Sequence, residues 1–283
     1  MRLAKVLGGI GRSCITVGAL LLLFVAYQLW GTGIREAQAQ NQLDDEFAQV
    51  VETAEQDFPN PEERGSAAIP PEGDPVAKIV IPKIGVDKLV VEGVSVADLK
   101  KGPGPYPETP LPGQKGNAAI AGHRTTYGAP FNRVDELVAG DEIFVETVQG
   151  RFRYLVVEQL IVSPSQVEVL EDKGDNRLTL TACHPKFSAR QRIVIVAELA
   201  ADAPVFEAQV VSAPTSLDDI SGEDASALPA ILLGIICALI WLFAWLVGLR
   251  WKRWPAYGIA LPFFLVCLFF FFEDFSRLLP SNF

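Results

Sequence analysis

The amino-acid sequence contains few thiols and few imidazoles. Its 283 residues include four cysteines and two histidines. Three of the cysteines, at positions 14, 237 and 267, lie in apolar runs of the membrane-spanning type. Cys183 is therefore the only thiol in the polar part of the chain, where it has no disulfide partner. A disulfide framework is excluded for that part, and Cys183 is the first residue to consider for chemistry.

Positive charge is also scarce, because 24 Lys and Arg residues face 34 Asp and Glu residues and the formal net charge is −10. A nucleic-acid partner normally requires a basic surface, so we expect none. The basic residues near the two chain ends flank apolar runs and are typical signals of membrane orientation. They are Arg2, Lys5 and Arg12 at one end and Arg250, Lys252 and Arg253 near the other.

Three apolar segments explain why the mean hydropathy of the chain is as high as +0.26. Residues 14–30 form the first, which favours an uncleaved anchor over a cleaved signal peptide because the run is longer than a usual signal core. Residues 228–249 and 256–272 predict two more membrane helices, with the alternative that the last one does not span. Basic residues held in the cytoplasm then leave the intervening domain outside the cell, in a multi-pass cell-membrane protein.

Polar segments separate these membrane runs from a central domain. Residues 32–75 are predicted to be a linker, although residues 35–55 have some helical periodicity and could form a short helix next to the membrane. Residues 201–227 are a second polar linker. Between the linkers, many short strand patterns and few helical ones predict a mostly β domain that closes into a barrel.

Turn and cap signals divide this domain into elements. Residues 76–84 and 88–92 read as a strand pair that turns at Gly85, and Ser95 is a candidate N-cap for a short helix over 96–101. Residues 141–147 and 151–162 predict a hairpin around Gln149-Gly150.

One stretch combines a strand end with reactive side chains. Residues 178–182 alternate apolar and polar side chains and predict a half-buried strand, which places Cys183 at its end. Residues 193–197 are β-branched and apolar, typical of a buried strand that begins just after Arg192. His123 lies in an equivalent position, directly after the apolar run 117–122.

These three residues lie in motifs that resemble those of the sortases. The cysteine motif of that family is similar to Thr179-Leu-Thr-Ala-Cys183, its histidine motif to Ile120-Ala-Gly-His123, and its arginine falls on Arg192. The run from Cys183 to Ala189 resembles class E sortases, the housekeeping class of many Gram-positive bacteria. The resemblance covers about residues 75–200 and implies a closed eight-stranded sortase-type β-barrel with short helices.

The resemblance also implies an activity, a cysteine transpeptidation that needs no cofactor and no metal. Cys183 would cleave a secreted protein between Thr and Gly of a C-terminal sorting signal, of the LAXTG or LPXTG type. A peptidoglycan amine would then receive that protein. His123 would serve as acid and base, and Arg192 would stabilise the oxyanion.

Substrate contacts are expected at Val96, Thr181 and Ala182. Ala182 departs from the family pattern, which has a threonine before the cysteine, and the preferred sorting motif stays open. The domains expected are an N-terminal membrane anchor (1–31), an extracellular polar linker (32–75), the catalytic domain (76–200), a linker (201–227), a transmembrane helix (228–249), a cytoplasmic basic turn (250–255), a transmembrane helix (256–272) and an extracellular tail (273–283).

Several alternatives remain at the level of sequence. His184 competes with His123 as the base and Arg190 competes with Arg192, while an acidic loop around Asp175 could suggest calcium but is better explained as solvated. The same barrel could be a cysteine hydrolase, a pilus-polymerising sortase or a non-catalytic scaffold. Pilus polymerisation ranks lower because Asp74-Pro75 is not followed by the aromatic residue of the lids in pilus-building sortases.

Overall fold

The computed structural model of the chain describes residues 2–64, 70–208, 226–250, 253–276 and 278. The helices are α1 (Arg2–Ala26), α2 (Thr32–Asp57), α3 (Pro61–Arg64), α4 (Val96–Leu99), α5 (Leu228–Arg250) and α6 (Arg253–Ser276), and a π-helical turn, Tyr27–Gly31, joins α1 to α2. The strands are β1 (Pro75–Ile81), β2 (Val86–Val91), β3 (Gly104–Pro105), β4 (Asn117–Ala121), β5 (Glu142–Thr147), β6 (Gly150–Val162), β7 (Arg177–His184) and β8 (Gln191–Leu199). Most of the predicted second linker, positions 251 and 252 of the basic turn and much of the predicted tail lie outside the described residues.

Helices α1, α5 and α6 belong to one compact unit. Three stretches, Leu7–Asp57, Leu228–Arg250 and Trp254–Ser276, are long and apolar enough to cross a membrane, which agrees with the prediction of one apolar helix before the domain and two after it. Phe24 of α1, Cys237 of α5 and Cys267 of α6 belong to one apolar cluster, so the three helices pack together. Lipid tails are as apolar as these side chains, so most of their other large apolar residues can remain exposed.

The second unit contains the strands, which form an eight-stranded sheet in the order β2-β1-β5-β6-β8-β7-β4-β3. The two edge strands of this sheet meet at one point, where the Val91 N–H at the end of β2 donates to the Pro103 carbonyl beside β3, at 2.8 Å. The sheet is therefore a nearly closed barrel, and the predicted fold class is confirmed.

Local signals in the sequence agree with the observed turns. Gly85 has a φ of +70°, a left-handed conformation that glycine adopts without strain, and it ends a 3-10 turn between β1 and β2. Ser95 caps α4 by accepting a hydrogen bond from the Asp98 N–H. The hairpin of β5 and β6 turns where it was predicted, with Thr147 paired to Gly150.

Alternation along the strands separates an inner face from an outer face. The inner face of the barrel is filled by the main apolar cluster, which includes Ile120 of β4, Leu180 of β7 and Ile193 of β8. The outer face of β4, β7 and β8 is covered by two loops. Leu99 and Tyr106, from the loop between β2 and β4, and Leu170, from the loop between β6 and β7, pack on Ala119 and Ala121 of β4.

Helix α2 occupies much of the stretch that was predicted to be a linker, and it packs on the barrel. Its residues Leu43 and Phe47 form an apolar cluster with Leu89 and Val91 of β2. The Gln40 side-chain amide accepts from the Leu89 N–H and donates to the Leu89 carbonyl, so it pairs with the free edge of β2 as a neighbouring strand would. An edge strand has unpaired backbone groups, and α2 satisfies and covers some of those of β2.

Substitution of Gln40 by Ala should detach this helix from the barrel edge. The change removes the two bonds to Leu89 and a third, which the amide donates to the Lys101 carbonyl at 2.9 Å. We expect a loss of about 2–4 kcal/mol in the free energy of unfolding, because buried backbone groups are left unpaired. Urea denaturation of a protein made of residues 33–208 measures this loss of unfolding free energy. Gln42→Ala is the matched control, because Gln42 bonds to the exposed Glu46 on the same helix. An equal loss in both variants would contradict the assigned role of Gln40.

Candidate active site

His123 lies just after β4, and Cys183 lies near the end of β7, a neighbouring strand that runs in the same direction. Strand β4 pairs in parallel with β7, with Ala121 opposite Thr181. The next residue continues the ladder, because the Gly122 N–H donates to the Thr181 carbonyl at 3.1 Å. His123 and Cys183 each lie two residues beyond the last pair, and alternation directs both side chains to the outer face. The topology thus brings the predicted base and the predicted nucleophile to one edge of the barrel.

Arg192 lies on the other side of the cysteine. Strands β7 and β8 are antiparallel, and Cys183 is the direct partner of Arg192 in their register. The Arg192 side chain is buried, and its guanidinium donates to the Ala189 carbonyl at 2.9 Å. Arg190 is exposed and precedes the strand. Of the two arginines that the sequence left in competition, Arg192 is the one opposite the thiol.

The His123 side chain is fixed by its neighbours. A Cβ atom on Gly122 would lie 2.6 Å from the Phe131 ring, so the residue before the histidine has room only for glycine. The Tyr127 ring lies against the imidazole, with ring centroids 5.1 Å apart. Burial, followed by the positive charge of Lys100, lowers the pKa of His123 from 6.5 to about 4. The imidazole is therefore neutral at pH 7, and its buried Nε2 atom has no hydrogen-bond partner among the residues that the structure describes.

The three predicted substrate contacts have different surroundings. Thr181 is on the outer face, where its hydroxyl is 2.9 Å from the Tyr106 hydroxyl in a buried hydrogen bond. Val96 is the first residue of α4 and is partly buried. Ala182 points the other way, into the inner apolar cluster. Its side chain is thus on the face opposite Cys183, and the missing hydroxyl of the family threonine changes the packing of the core rather than the outer face.

Arg124 was not identified from the sequence, although it directly follows His123. Its buried guanidinium donates to the Cys183 carbonyl at 3.2 Å and contacts His184 Nδ1 at 2.9 Å. The same group forms an ion pair with Asp135 at 3.1 Å. It thereby ties the residue after the histidine to the strand end that carries the thiol. The only available signal was the presence of an arginine between an apolar strand and a loop rich in small residues.

His184 is less suited than His123 to act as the base. It follows Cys183 on β7, so alternation directs it to the opposite face. Its Nδ1 atom is engaged by the Arg124 guanidinium. That nitrogen is therefore occupied by a contact within the protein.

The loop between β6 and β7 is attached to the barrel through Asn117. The Asn117 amide donates to the Val169 carbonyl at 3.0 Å and to the Glu171 carbonyl at 3.2 Å, and its oxygen accepts from the Thr179 hydroxyl at 2.7 Å. All of these groups are wholly or partly buried. The loop between β6 and β7, which covers part of the outer face, is therefore held in place by this network of hydrogen bonds.

Asp175, in the same loop, forms an ion pair with Arg177, which lowers the pKa of that carboxyl. Within the described residues, no group of three or more His, Cys, Asp or Glu side chains is arranged to hold a metal ion. The acidic loop is thus engaged in a local ion pair.

The three central side chains can support acyl transfer by a thiol. A neutral imidazole can take a proton from a thiol or an amine, and a nearby guanidinium favours a thiolate and a developing oxyanion. Cys183 and Arg192 are held within strands, and His123 lies two residues after one, so little reorganisation is needed.

Substitution of Arg124 by Ala should destabilise the domain strongly. It would leave the Cys183 carbonyl, His184 and Asp135 without their common partner, and we expect a loss of about 2–4 kcal/mol in the free energy of unfolding. Urea denaturation of residues 33–208 tests it. Arg133→Ala is the control, since Arg133 pairs with Glu136 at the surface and exposed pairs contribute little. Similar effects of the two substitutions would show that the Arg124 contacts carry no particular stability.

Comparison with known proteins agrees with this geometry. A sortase-domain family model matches residues 79–200. Sortase SrtE1 of Streptomyces coelicolor is 36% identical over 211 residues, which are 69% of this chain and 57% of that protein. Sortase SrtE2 of the same organism is 29% identical over 217 residues, which are 69% of this chain and 83% of that protein. The chain thus spans little more than half the length of SrtE1 and most of SrtE2.

A solved structure of a Clostridium perfringens sortase D5 transpeptidase superposes with a TM-score of 0.52 at 29% identity, over 58% of this chain and 99% of that one. The residues matched by the family model include Cys183, His123 and Arg192, and the curated relatives SrtE1 and SrtE2 are class E enzymes by name. The chain therefore belongs to the sortase family and is similar to its class E members.

Proposed function

We propose that this chain is a membrane-anchored cysteine transpeptidase that joins secreted proteins to the cell wall. Its substrate is a C-terminal sorting signal of the LAXTG or LPXTG type, cut between Thr and Gly, and its acceptor is an amine of peptidoglycan. The observation that carries the proposal is the position of His123, Cys183 and Arg192 at one end of three neighbouring strands. No organic cofactor or metal takes part in the proposed reaction.

In the first half of the reaction, His123 takes the proton of the Cys183 thiol, and the resulting thiolate attacks the carbonyl carbon of the substrate Thr. A tetrahedral oxyanion forms, and Arg192 lies on the side of Cys183 where its charge can stabilise that oxyanion. The peptide C–N bond then breaks, the Gly amine leaves with a proton from His123, and Cys183 holds the protein as a thioester.

In the second half, the incoming amine attacks the thioester carbonyl and gives a proton to His123. The C–S bond breaks as the new amide forms, and the Cys183 thiolate takes the proton back from His123. The low pKa of His123 suits this cycle, because the neutral form accepts the proton of the amine and the protonated form is a strong enough acid to release it.

Peptide ligation by the purified domain tests this function. Residues 33–208 are mixed with a LAXTG or a LPXTG peptide and a soluble amine, and the products are identified by mass. We expect cleavage after Thr and a new amide with the added amine for one of the peptides. Because the nucleophile is lost, Cys183→Ala should give neither product. This segment retains α2, since that helix packs on the barrel.

Two arginine variants serve as a matched pair in the same assay. Arg192→Ala should lower kcat/KM by about 10²- to 10³-fold through loss of the oxyanion partner. Arg190→Ala should remain close to wild type, because Arg190 is exposed. Cleavage with water as the only acceptor, even at high amine concentration, would indicate a hydrolase. Cleavage that survives Cys183→Ala would refute the mechanism.

The proposed location is the cell membrane, with the catalytic domain outside the cell. Support comes from three helical stretches long and apolar enough to span and from the basic residues that flank the apolar runs. With the N-terminus inside, α1 leads out, α5 leads in and α6 leads out again.

Labelling of intact spheroplasts tests this orientation. A maleimide that cannot cross membranes should modify Cys183 in the full-length chain without permeabilisation, because the domain is outside and Cys183 is partly exposed. The Cys183→Ser variant should remain unlabelled. A Lys5→Cys substitution in that background should be labelled only after permeabilisation, and the opposite pattern would reverse the topology.

A further inference from the structure

The positive charge of Lys100 acts on His123. The Lys100 ammonium is 5.5 Å from the centre of the Tyr127 ring, and that ring in turn lies 5.1 Å from the His123 ring, centroid to centroid. We refer to these three side chains as the Lys100–Tyr127–His123 stack. No step of the proposed reaction described above uses Lys100.

The backbone on both sides of the stack is held in a defined conformation. Lys100 is the C-cap of α4, whose N-terminus is capped by Ser95. The ammonium of the neighbouring Lys101 donates a hydrogen bond to the Gly73 carbonyl. The Lys101 backbone carbonyl accepts one from the Gln40 side chain.

The Tyr127 side of the stack is fixed by an unusual backbone. Tyr127 has a φ of +49° and Ala129 a φ of +43°, conformations that are uncommon for residues other than glycine. A hydrogen bond from the Phe131 N–H to the His123 carbonyl closes this loop at 3.1 Å. Such strain persists where the surroundings enforce it, and it is frequent at ligand-binding sites.

The chemistry of transfer defines which reactant comes closest to Lys100. The leaving amine receives its proton from His123, and the incoming amine delivers a proton to the same imidazole. Both amines must therefore bind at His123, where Lys100 is the nearby cation that lowers the pKa of the imidazole. A positive charge there repels a protonated amine and attracts an anionic group close to a neutral one.

We propose that Lys100 binds a carboxylate that the acceptor carries on the same carbon as its nucleophilic amine. The preferred acceptor class is thus an amino-acid group with a free carboxylate, rather than a simple amine or an amidated one. The carboxylate would pair with the ammonium and hold the amine over His123, beside the Tyr127 ring. This inference rests on the proposed transpeptidase function and specifies its second substrate.

The preference of the enzyme between two acceptor amines tests this contact. Residues 33–208 are given a sorting-signal peptide and either glycine or glycinamide, which carry the same primary amine with and without a carboxylate. The rate of amide formation is measured for each, and the ratio of the two rates is compared between variants. Intrinsic differences in amine reactivity cancel in that comparison.

We expect Lys100→Met to lower the glycine-to-glycinamide ratio by about tenfold or more, the size of effect typical of a charge-assisted hydrogen bond. Lys101→Met is the matched control and should keep the wild-type ratio, because Lys101 bonds to Gly73. Lys100→Glu provides a second readout, since reversed charge should shift the ratio further toward glycinamide.

An unchanged ratio in both Lys100 variants would overturn the inference and leave the transpeptidase function intact. Transfer to neither amine by the wild-type domain, with peptide cleavage by water or without it, would overturn the proposed transpeptidation and this inference with it. A ratio that falls equally in Lys101→Met would show a general effect of charge at the end of α4, and it would also exclude a specific contact with Lys100.

Discussion

The parallel pairing of β4 with β7 is the constraint on which the active site depends. It aligns Ala121 with Thr181, and so aligns the residues that follow each strand. Because side chains alternate, a shift of one residue on β7 would direct Cys183 into the apolar interior and Ala182 to the outer face. The inner cluster opposes that shift, since Leu178 and Leu180 would also leave the core. Packing of the barrel interior therefore fixes which face presents the thiol.

Outside the β4–β7 hydrogen-bond ladder, the site also depends on side chains that fix the conformation of the loops. Arg124 bridges the strand end of Cys183 to Asp135, and Arg192 bonds back to the loop that follows Cys183. A buried guanidinium can satisfy several acceptors at once in a fixed plane, which lysine cannot do. The two arginines thus differ in task. One stabilises the loop geometry, and the other lies opposite the thiol where charge develops.

The sequence predicted those parts of the fold that depend on neighbouring residues. Alternation placed Cys183 at a strand end, Gly85 and Gly150 marked turns, and Ser95 marked a cap, all from local rules. The pairing of β4 with β7 and the packing of α2 on β2 join residues far apart in the chain, so periodicity alone could not identify them. The roles of Arg124 and Tyr127 also required coordinates, because burial of an arginine or a left-handed tyrosine depends on distant partners. The grouping of His123, Cys183 and Arg192 came from the family motifs, because their spacing in the sequence could not predict it.

The charges around the site have opposing effects on the two central residues. At rest, burial and Lys100 keep His123 neutral, which disfavours a stable thiolate–imidazolium pair. In the proposed reaction, the imidazolium that forms when Cys183 transfers its proton is buried and feels the charge of Lys100, so it favours release of that proton to the leaving amine. Although the whole chain is acidic, the charge close to His123 is therefore positive and favours the neutral imidazole.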